Sequence, residues 1–356
     1  MKLVRLHVNK NIKLVSMKNK LTILIPCFNK EKFLKKLFKS LLKQKDKKFF
    51  LIFVDDKSTD STFEMLIDFQ KNNSNHFNDL QIFRLEKNQG ISYVRNFLIE
   101  KVETEYFIFL DPDDKFYPRA IYHFNKKIQT KKYDVVLAKN RMSFAKTVYI
   151  PNVISNFYSF KKNLDNNSNI GLLWIERTGF FVWNKAINTK WFKSLNLNFA
   201  NDKNYEDIPV VGLMLSLAKN VGFIDKYTLV YDVNMSGLSR IHNPKKFKDL
   251  FSNLNFLYEN LEKYNLLNKW KNETKIEEMV IGKLFIHCFI RLQGNKVIKN
   301  FQEYLSVMDT VFNFLEKYNI EEKLKNYTSI FRLILNSALK HFQKIKILYS
   351  KYKNKD

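Results

Sequence analysis

Three polar clusters in this sequence combine residue types and spacings that suit chemistry. In FIFLDPDDKFYP, residues 107 to 118, an apolar run ends in three aspartates gathered around one proline. Carboxylates this close raise one another's pKa unless a cation neutralises them. A hard divalent ion, Mg2+ or Mn2+, does so with oxygen ligands, commonly one or two carboxylates plus substrate phosphates. Asp111 and Asp113 can aim at one such ion, because a turn through Pro112 removes the strict alternation of a strand. By itself the composition also fits a solvated acidic turn. The other two clusters weigh against that. VDDKSTDST, residues 54 to 62, sets Asp55 and Asp56 at another strand end, ahead of residues suited to capping a helix. NQGISYVRN, residues 88 to 96, places Gly90 before a helix and Arg95 on it, available to an anion or to the acidic cluster.

The elements that must position these residues are legible as periodicities. LTILIP (21–26), FFLIFVDD (49–56), LQIFRLE (80–86) and YFIFLDPDD (106–114) are short apolar runs ending in polar or turn residues, and they predict buried strands. Between them, Phe33/Leu34, Leu37/Phe38 and Leu41/Leu42 recur every four residues opposite a lysine face, and Ile91, Val94, Leu98 and Val102 repeat the stripe. Strand alternating with helix implies an α/β fold, a mainly parallel sheet with helices on both faces. Ligands of such sheets bind beyond the carboxyl ends of the strands. Pro26 to Asn29, Asp55/Asp56 and Asp111 to Asp114 all sit at such ends, so these three should share one crevice. From about residue 245 the pattern turns helical, with segments near 246–263, 273–292, 300–317 and 328–350. In the last, Phe331, Leu335, Ala338, Phe342, Ile345 and Tyr349 fall on one face and basic residues elsewhere. Such a helix can lie on an anionic membrane surface, or pack on its own domain with solvated lysines.

At 356 residues with 45% hydrophobic composition, the chain can bury a proper core. Its formal charge of +26 would ordinarily suggest nucleic acid or a membrane. Lys, Asn, Phe, Ile and Tyr dominate while Gly is only 8, however, a bias of AT-rich coding, so the location of charge says more than its total. Residues 1–20 carry six Lys or Arg and no acid; residues 325–356 carry eight and one acid. Lysines elsewhere are spread over many helix faces and no nucleic-acid motif is present, so nucleic acid is not an expected partner. Two cysteines make no disulfide framework and six histidines show no zinc spacing. No apolar run reaches the ~18 residues that span a bilayer. A cytoplasmic protein, peripheral at the inner face of the cell membrane, is expected. Met17 opens a second start-like segment, so residues 1–16 read as an extension or a misplaced start.

ILIPCFN, VDDKSTDST, NQGISYVRN, FLDPDD and, about a hundred residues on, NYEDIPV occur in the order and approximate spacing of the family-2 inverting glycosyltransferases with a GT-A fold. VWNKAI (182–187) and SGLSR (236–240) are partial matches. The resemblance divides the chain into a basic extension (1–17), a GT-A nucleotide-sugar transferase domain (18–240) and a helical C-terminal region (241–356). It implies that Asp56 recognises the base or ribose of the donor, with Pro26, Asn29 and Asp55 in the same pocket and Asn88, Gly90 and Arg95 completing the donor side. It implies that Asp111 and Asp113 hold Mg2+ or Mn2+ on the diphosphate. Asp207 of the YED sequence, with Glu206 as the alternative, would be the catalytic base. Trp183, Asn184 and Lys185 lie where the family forms its acceptor side, although Trp183, like Trp174 and Trp191, fits a core position equally well. Two departures stand out. Lys57 replaces a usual Gly, altering the turn or meeting a phosphate, and Phe28 replaces a common Tyr.

The expected reaction moves a hexose or N-acetylhexosamine from a UDP-sugar to a hydroxyl of a lipid-linked or cell-surface glycan. Diacylglycerol is the alternative acceptor, since glycolipid synthases of small wall-less bacteria resemble this plan. Nucleotidyl transfer is disfavoured because ILIPCFNKEKF lacks the glycine-rich phosphate loop that class commonly brings. An inactive partner subunit is disfavoured because the principal aspartates are present.

Overall fold

The computed structural model describes residues 4–6, 21–144, 148–151, 180–200, 204–233, 244–272, 310, 313–314 and 316–319. The four apolar runs form β2 (Leu21–Cys27), β3 (Phe50–Asp55), β4 (Asp79–Arg84) and β5 (Tyr106–Phe109). They pair in parallel, with β2 between β3 and β5 and with β4 outside β3. Every residue of β2, β3 and β5 is buried, as a sheet covered on both faces requires.

The intervening helices are α1 (Glu31–Leu42), α2 (Thr62–Asn73) and α3 (Ile91–Glu100). α1 buries Leu34, Leu37 and Leu41, one face of a 3.6-residue period, and its lysines take the other. Phe38 of α1 stacks on Phe69 of α2 with centroids 4.0 Å apart, and both meet Phe53 of β3 edge-on at 6.2 Å. Offset and edge-to-face geometries of this kind suit the ring quadrupole and add to the area buried.

The described strands make one ten-stranded sheet. Its remaining members are β1 (Val4–Leu6), β6 (Lys115–Phe116), β7 (Val135–Phe144), β8 (Val148–Pro151), β9 (Lys185–Asn188) and β10 (Val221–Val233). The order is β1-β4-β3-β2-β5-β9-β7-β10-β6, with β8 against β7. β10 runs parallel to β7, whereas β1, β6, β8 and β9 join antiparallel. The expected mainly parallel centre is thus extended by antiparallel additions. One of them, β1, comes from the basic N-terminal stretch and caps the free edge of β4, whose unpaired backbone groups would otherwise be exposed.

The chain divides into two compact units: residues 1–202 with 210–237, which contain the sheet, and residues 203–209 with 238–356. In the second, Leu250, Leu254, Leu257 and Leu261 form the buried stripe of a helix over Pro244–Lys263. Tyr258 of that helix packs against Trp270, Phe314 and Tyr318. The helix expected near 246–263 is therefore present. The segments expected near 273–292 and 328–350 lie outside the described residues, as does most of 300–317.

Candidate active site

From β2 the chain steps to β3 and β4 on one side and then returns to β5 on the other. Strand order reverses at β2, which opens a crevice beyond the carboxyl ends of β2, β3 and β5. The loops after β2, β3 and β5 line that end and carry Asn29, Asp55/Asp56 and Asp111–Asp114, and the loop after β4, with Asn88–Gly90, joins them through Asp56.

The first two loops are tied to each other. Asn29, in the left-handed conformation at φ 51°, accepts hydrogen bonds on Oδ1 from the N–H of Thr59 (2.9 Å) and from its hydroxyl (3.3 Å). Its own N–H donates to Ser58 Oγ at 3.0 Å, and the N–H of Lys30 donates to Thr62 Oγ1 at 2.7 Å. Glu31 and Asp60 complete the tie: the Glu31 N–H donates to Asp60 Oδ2, and the Ser61 N–H donates to Glu31 Oε2. These bonds satisfy amides at the starts of α1 and α2 that have no partner within a helix. Asn29 therefore positions a loop here, while Pro26 is buried within β2.

Asp55 and Asp56 divide the work. Asp55, fully buried, accepts from the Ser58 N–H and is ion-paired with Arg84 Nε at 3.1 Å. Asp56 accepts from the N–H of Gln89 on Oδ1 (2.7 Å) and of Gly90 on Oδ2 (2.8 Å), while its carbonyl accepts from Asn88 Nδ2 at 3.2 Å. Burial pushes both carboxyl pKa values up, and the backbone N–H groups pull against it. Gly90 sits at φ 82°, which a residue with a side chain rarely adopts, and it turns the chain from this loop into α3. Asp56 thus shapes the Asn88–Gly90 loop with the carboxylate assigned from sequence to the donor.

The third loop is a β-turn. Asp111 accepts through its carbonyl from the N–H of Asp114 at 3.0 Å, with Pro112 at the position where its fixed φ suits such a turn. Each partly exposed carboxylate of the turn faces a cation. Asp111 Oδ1 lies 3.6 Å from Arg95, and Asp113 Oδ2 lies 3.3 Å from Lys30 Nζ. Arg95 is buried, its guanidinium 5.9 Å from the Phe109 centroid and 5.4 Å from that of Phe199. Asn96 fixes Phe199 there through two 2.9 Å hydrogen bonds with its backbone. Asp114 is turned inward. Its Oδ1 accepts from the N–H of Asp232 on β10 at 3.1 Å, and its buried Oδ2 has no hydrogen-bond partner among the described residues. Burial, and then the charges of Asp111 and Asp113, push its carboxyl well above the usual aspartate range.

This donor set suits a hard divalent ion. Asp111 and Asp113 offer accessible oxygens, and a cation there would relieve the carboxylate crowding that, after burial, pushes the Asp114 carboxyl up. Among the described residues no group of three or more His, Cys, Asp or Glu side chains is placed to hold a metal alone. Two carboxylates completed by ligand phosphate is the way Mg2+ is commonly bound.

Glu206 and Asp207 belong to the second unit, at the start of a helix over Asp207–Leu217, and both are half-buried. The preceding turn passes through Tyr205 at φ 61° and is anchored within that unit. Asp249 Oδ2 accepts from the N–H and side-chain amide of Asn204, and Asn253 Nδ2 donates to the carbonyls of Asn204 and Tyr205. On the expected acceptor side, Asn184 and Lys185 are buried and engaged. Asn184 donates to the Ala138 carbonyl and accepts from Thr228 Oγ1, and Lys185 Nζ donates to the carbonyls of Phe181 and Trp183. Trp183 is one of three rings in mutual contact, 4.8 Å from Phe181 and 5.4 Å from Tyr231, which lie 5.9 Å from each other. Trp174 lies outside the described residues.

Sequence reasoning missed Lys30, Arg84, Asn96 and Asp232. Lys30 and Asn96 left a signal, their positions directly after Asn29 and Arg95. Arg84 and Asp232 reach the site through strand pairing that no local pattern announces.

The sequence model of the family described as "Glycosyl transferase family 2" matches residues 22–192. A protein of Mycoplasma genitalium named "Processive diacylglycerol beta-glycosyltransferase" is 30% identical over 310 residues, 85% of this chain and 90% of that protein. Its namesake in Mycoplasma pneumoniae is 30% identical over 340 residues, covering 92% and 98%. The crystal structure of S. aureus TarS 1-349 in complex with UDP superposes with a TM-score of 0.66 at 21% identity, covering 95% of this chain and 92% of that one. At that identity the likeness shows a shared GT-A fold. With its motifs, its sheet and relatives matched along almost their whole length, this chain belongs to glycosyl transferase family 2.

Proposed function

We propose that this glycosyltransferase moves a hexose or N-acetylhexosamine from a UDP-sugar to the free hydroxyl of diacylglycerol, with inversion at the anomeric carbon. The sequence left the acceptor between lipid-linked or cell-surface glycans and diacylglycerol. The observation that favours the lipid is the near full-length likeness to two proteins named for diacylglycerol glycosyl transfer.

On this reading the loops after β2 and β3 frame the nucleotide, with Asp56 acting chiefly by holding the Asn88–Gly90 loop. Asp111 and Asp113 would hold Mg2+ or Mn2+, which when bound offsets the charge of the diphosphate leaving group. Arg95, buried against the Phe109 and Phe199 rings, keeps a permanent positive charge beside Asp111. Asp207 is the proposed general base, with Glu206 the alternative: an alcohol is a poor nucleophile until its proton has an acceptor, and a positioned carboxylate supplies one. Attack opposite the leaving group inverts the centre.

The test is the full chain with Mn2+, a panel of UDP-sugars and diacylglycerol in anionic mixed micelles, with glycolipid read by mass spectrometry. One UDP-sugar should give monoglycosyl-diacylglycerol. Transfer to a polymeric glycan with none to diacylglycerol would return the acceptor to the cell-surface class. Asp207→Asn should lower turnover by about 10²–10⁴-fold with donor binding retained; near-normal turnover would remove Asp207 from the role of base.

A further inference from the structure

Among the described residues, two cations paired with the Asp111–Asp114 turn are held in different ways. Arg95 has a side chain only 6% exposed and packs against the edge-to-face pair Phe109 and Phe199, so it stays beside Asp111. Lys30 is held at its backbone, where its N–H meets Thr62 Oγ1, but its side chain is 27% exposed and its ammonium touches Asp113, itself 22% exposed. The ammonium lies 3.3 Å from Asp113 Oδ2 and 5.3 Å from the centroid of Phe33. An ammonium is a compact, strongly hydrated point charge on a flexible stem, able to leave one anion for another, whereas a stacked guanidinium is not.

Asp113 is one of the two carboxylates best placed to ligate a divalent ion, and it cannot accept that ion and the ammonium on equal terms. Placing a second positive charge beside the first costs free energy that withdrawal of the lysine would recover. A nucleoside diphosphate arriving at the crevice brings negative charge for both.

We propose that Lys30 is a resident counter-ion that competes with the divalent cation for Asp113 and is released when a nucleoside diphosphate binds, so that metal and nucleotide bind cooperatively. The inference rests on the metal reading above and goes beyond it by making an unassigned lysine the element that withholds the metal until the donor is present. By linkage, whatever the nucleotide does to metal affinity the metal does equally to nucleotide affinity.

The experiment is a Mn2+ titration of the full chain followed by electron paramagnetic resonance, with and without UDP, for the wild type, Lys30→Met and Lys36→Met. Lys36 is on α1, which Lys30 immediately precedes, and is ion-paired with Asp232 at 3.8 Å, so its removal changes net charge equally without touching Asp113. Without nucleotide, Lys30→Met should bind Mn2+ about tenfold more tightly than wild type, a typical coupling between two sites. UDP should narrow that gap, and Lys36→Met should match wild type throughout. Equal or weaker Mn2+ affinity in Lys30→Met, or equal tightening in Lys36→Met, would overturn the proposal. Absence of Mn2+ binding in every variant, even with UDP, would reject the metal reading and this inference with it.

Discussion

Asp114 carries the most perturbed chemistry of the site without being one of its accessible ligands. One oxygen accepts from the N–H of Asp232 and the other is buried with no hydrogen-bond partner among the described residues. Because its carboxyl is held above the ordinary aspartate value, chiefly by burial, the folded chain keeps a proton that the unfolded chain has released. Its contribution to stability is complete below about pH 4 and is lost as pH rises through the folded value. In chelator, wild-type stability should therefore decline more steeply from pH 5 to 8 than that of Asp114→Asn in thermal melts; parallel slopes would assign the effect to other groups. The sequence displayed three aspartates around Pro112, but which of them turns inward depends on β10, more than a hundred residues away. Asn29 and Asp56 show the same limit. Their presence in a ligand-binding motif was legible, but the backbone amides that occupy their side-chain oxygens come from partner loops some thirty residues away. Cys27 could be read correctly, since a cysteine closing an apolar strand is ordinarily buried. It is buried, and burial pushes its thiol far up.

At the scale of elements, the loop after β3 shows how a departure from the family pattern is absorbed. Lys57, where the family usually has glycine, keeps the left-handed conformation at φ 59° and remains exposed. The turn is unaltered, at a cost of about 1–2 kcal/mol for a residue with a Cβ. Lys57→Gly should recover about 1 kcal/mol of it, less than the full strain because glycine also gains freedom in the unfolded chain, and should raise the melting temperature by a few degrees. If Lys57 also serves the donor phosphates, the same variant will raise KM for the UDP-sugar; an unchanged KM with a raised melting temperature would leave the lysine only its strain. The buried parallel strands were legible because short, mainly apolar segments ending in turn residues have few other uses. β1 and β6 were not, being three and two residues long and formed by pairing with β4 and β10 rather than by their own pattern. The bonds that lock the loop after β2 to the loop after β3 were equally invisible, since each loop alone reads as ordinary helix capping.

For the whole molecule, the two units carry separate parts of the proposed chemistry, the carboxylate turn in the sheet unit and Asp207 in the other. None of the described helices is long and apolar enough to cross a membrane, and an acceptor of diacylglycerol type requires contact with one. The basic stretch from 325 to 356, with eight Lys or Arg and one acid, is the proposed contact, each cation near an anionic surface contributing about 1 kcal/mol. Removing residues 328–356 should abolish co-sedimentation with phosphatidylglycerol vesicles at moderate salt; unchanged partition would place membrane contact elsewhere. The central claim is that the crevice beyond β2, β3 and β5 holds a nucleotide-sugar through a metal on Asp111 and Asp113. Calorimetric titration of the UDP-sugar panel into the full chain and into Asp113→Ala, each with Mn2+ and then with chelator, tests it most directly. One UDP-sugar should bind the wild type, chelator should weaken this binding strongly, and Asp113→Ala should bind weakly under both conditions. Tight binding that ignores both the chelator and the substitution would contradict it.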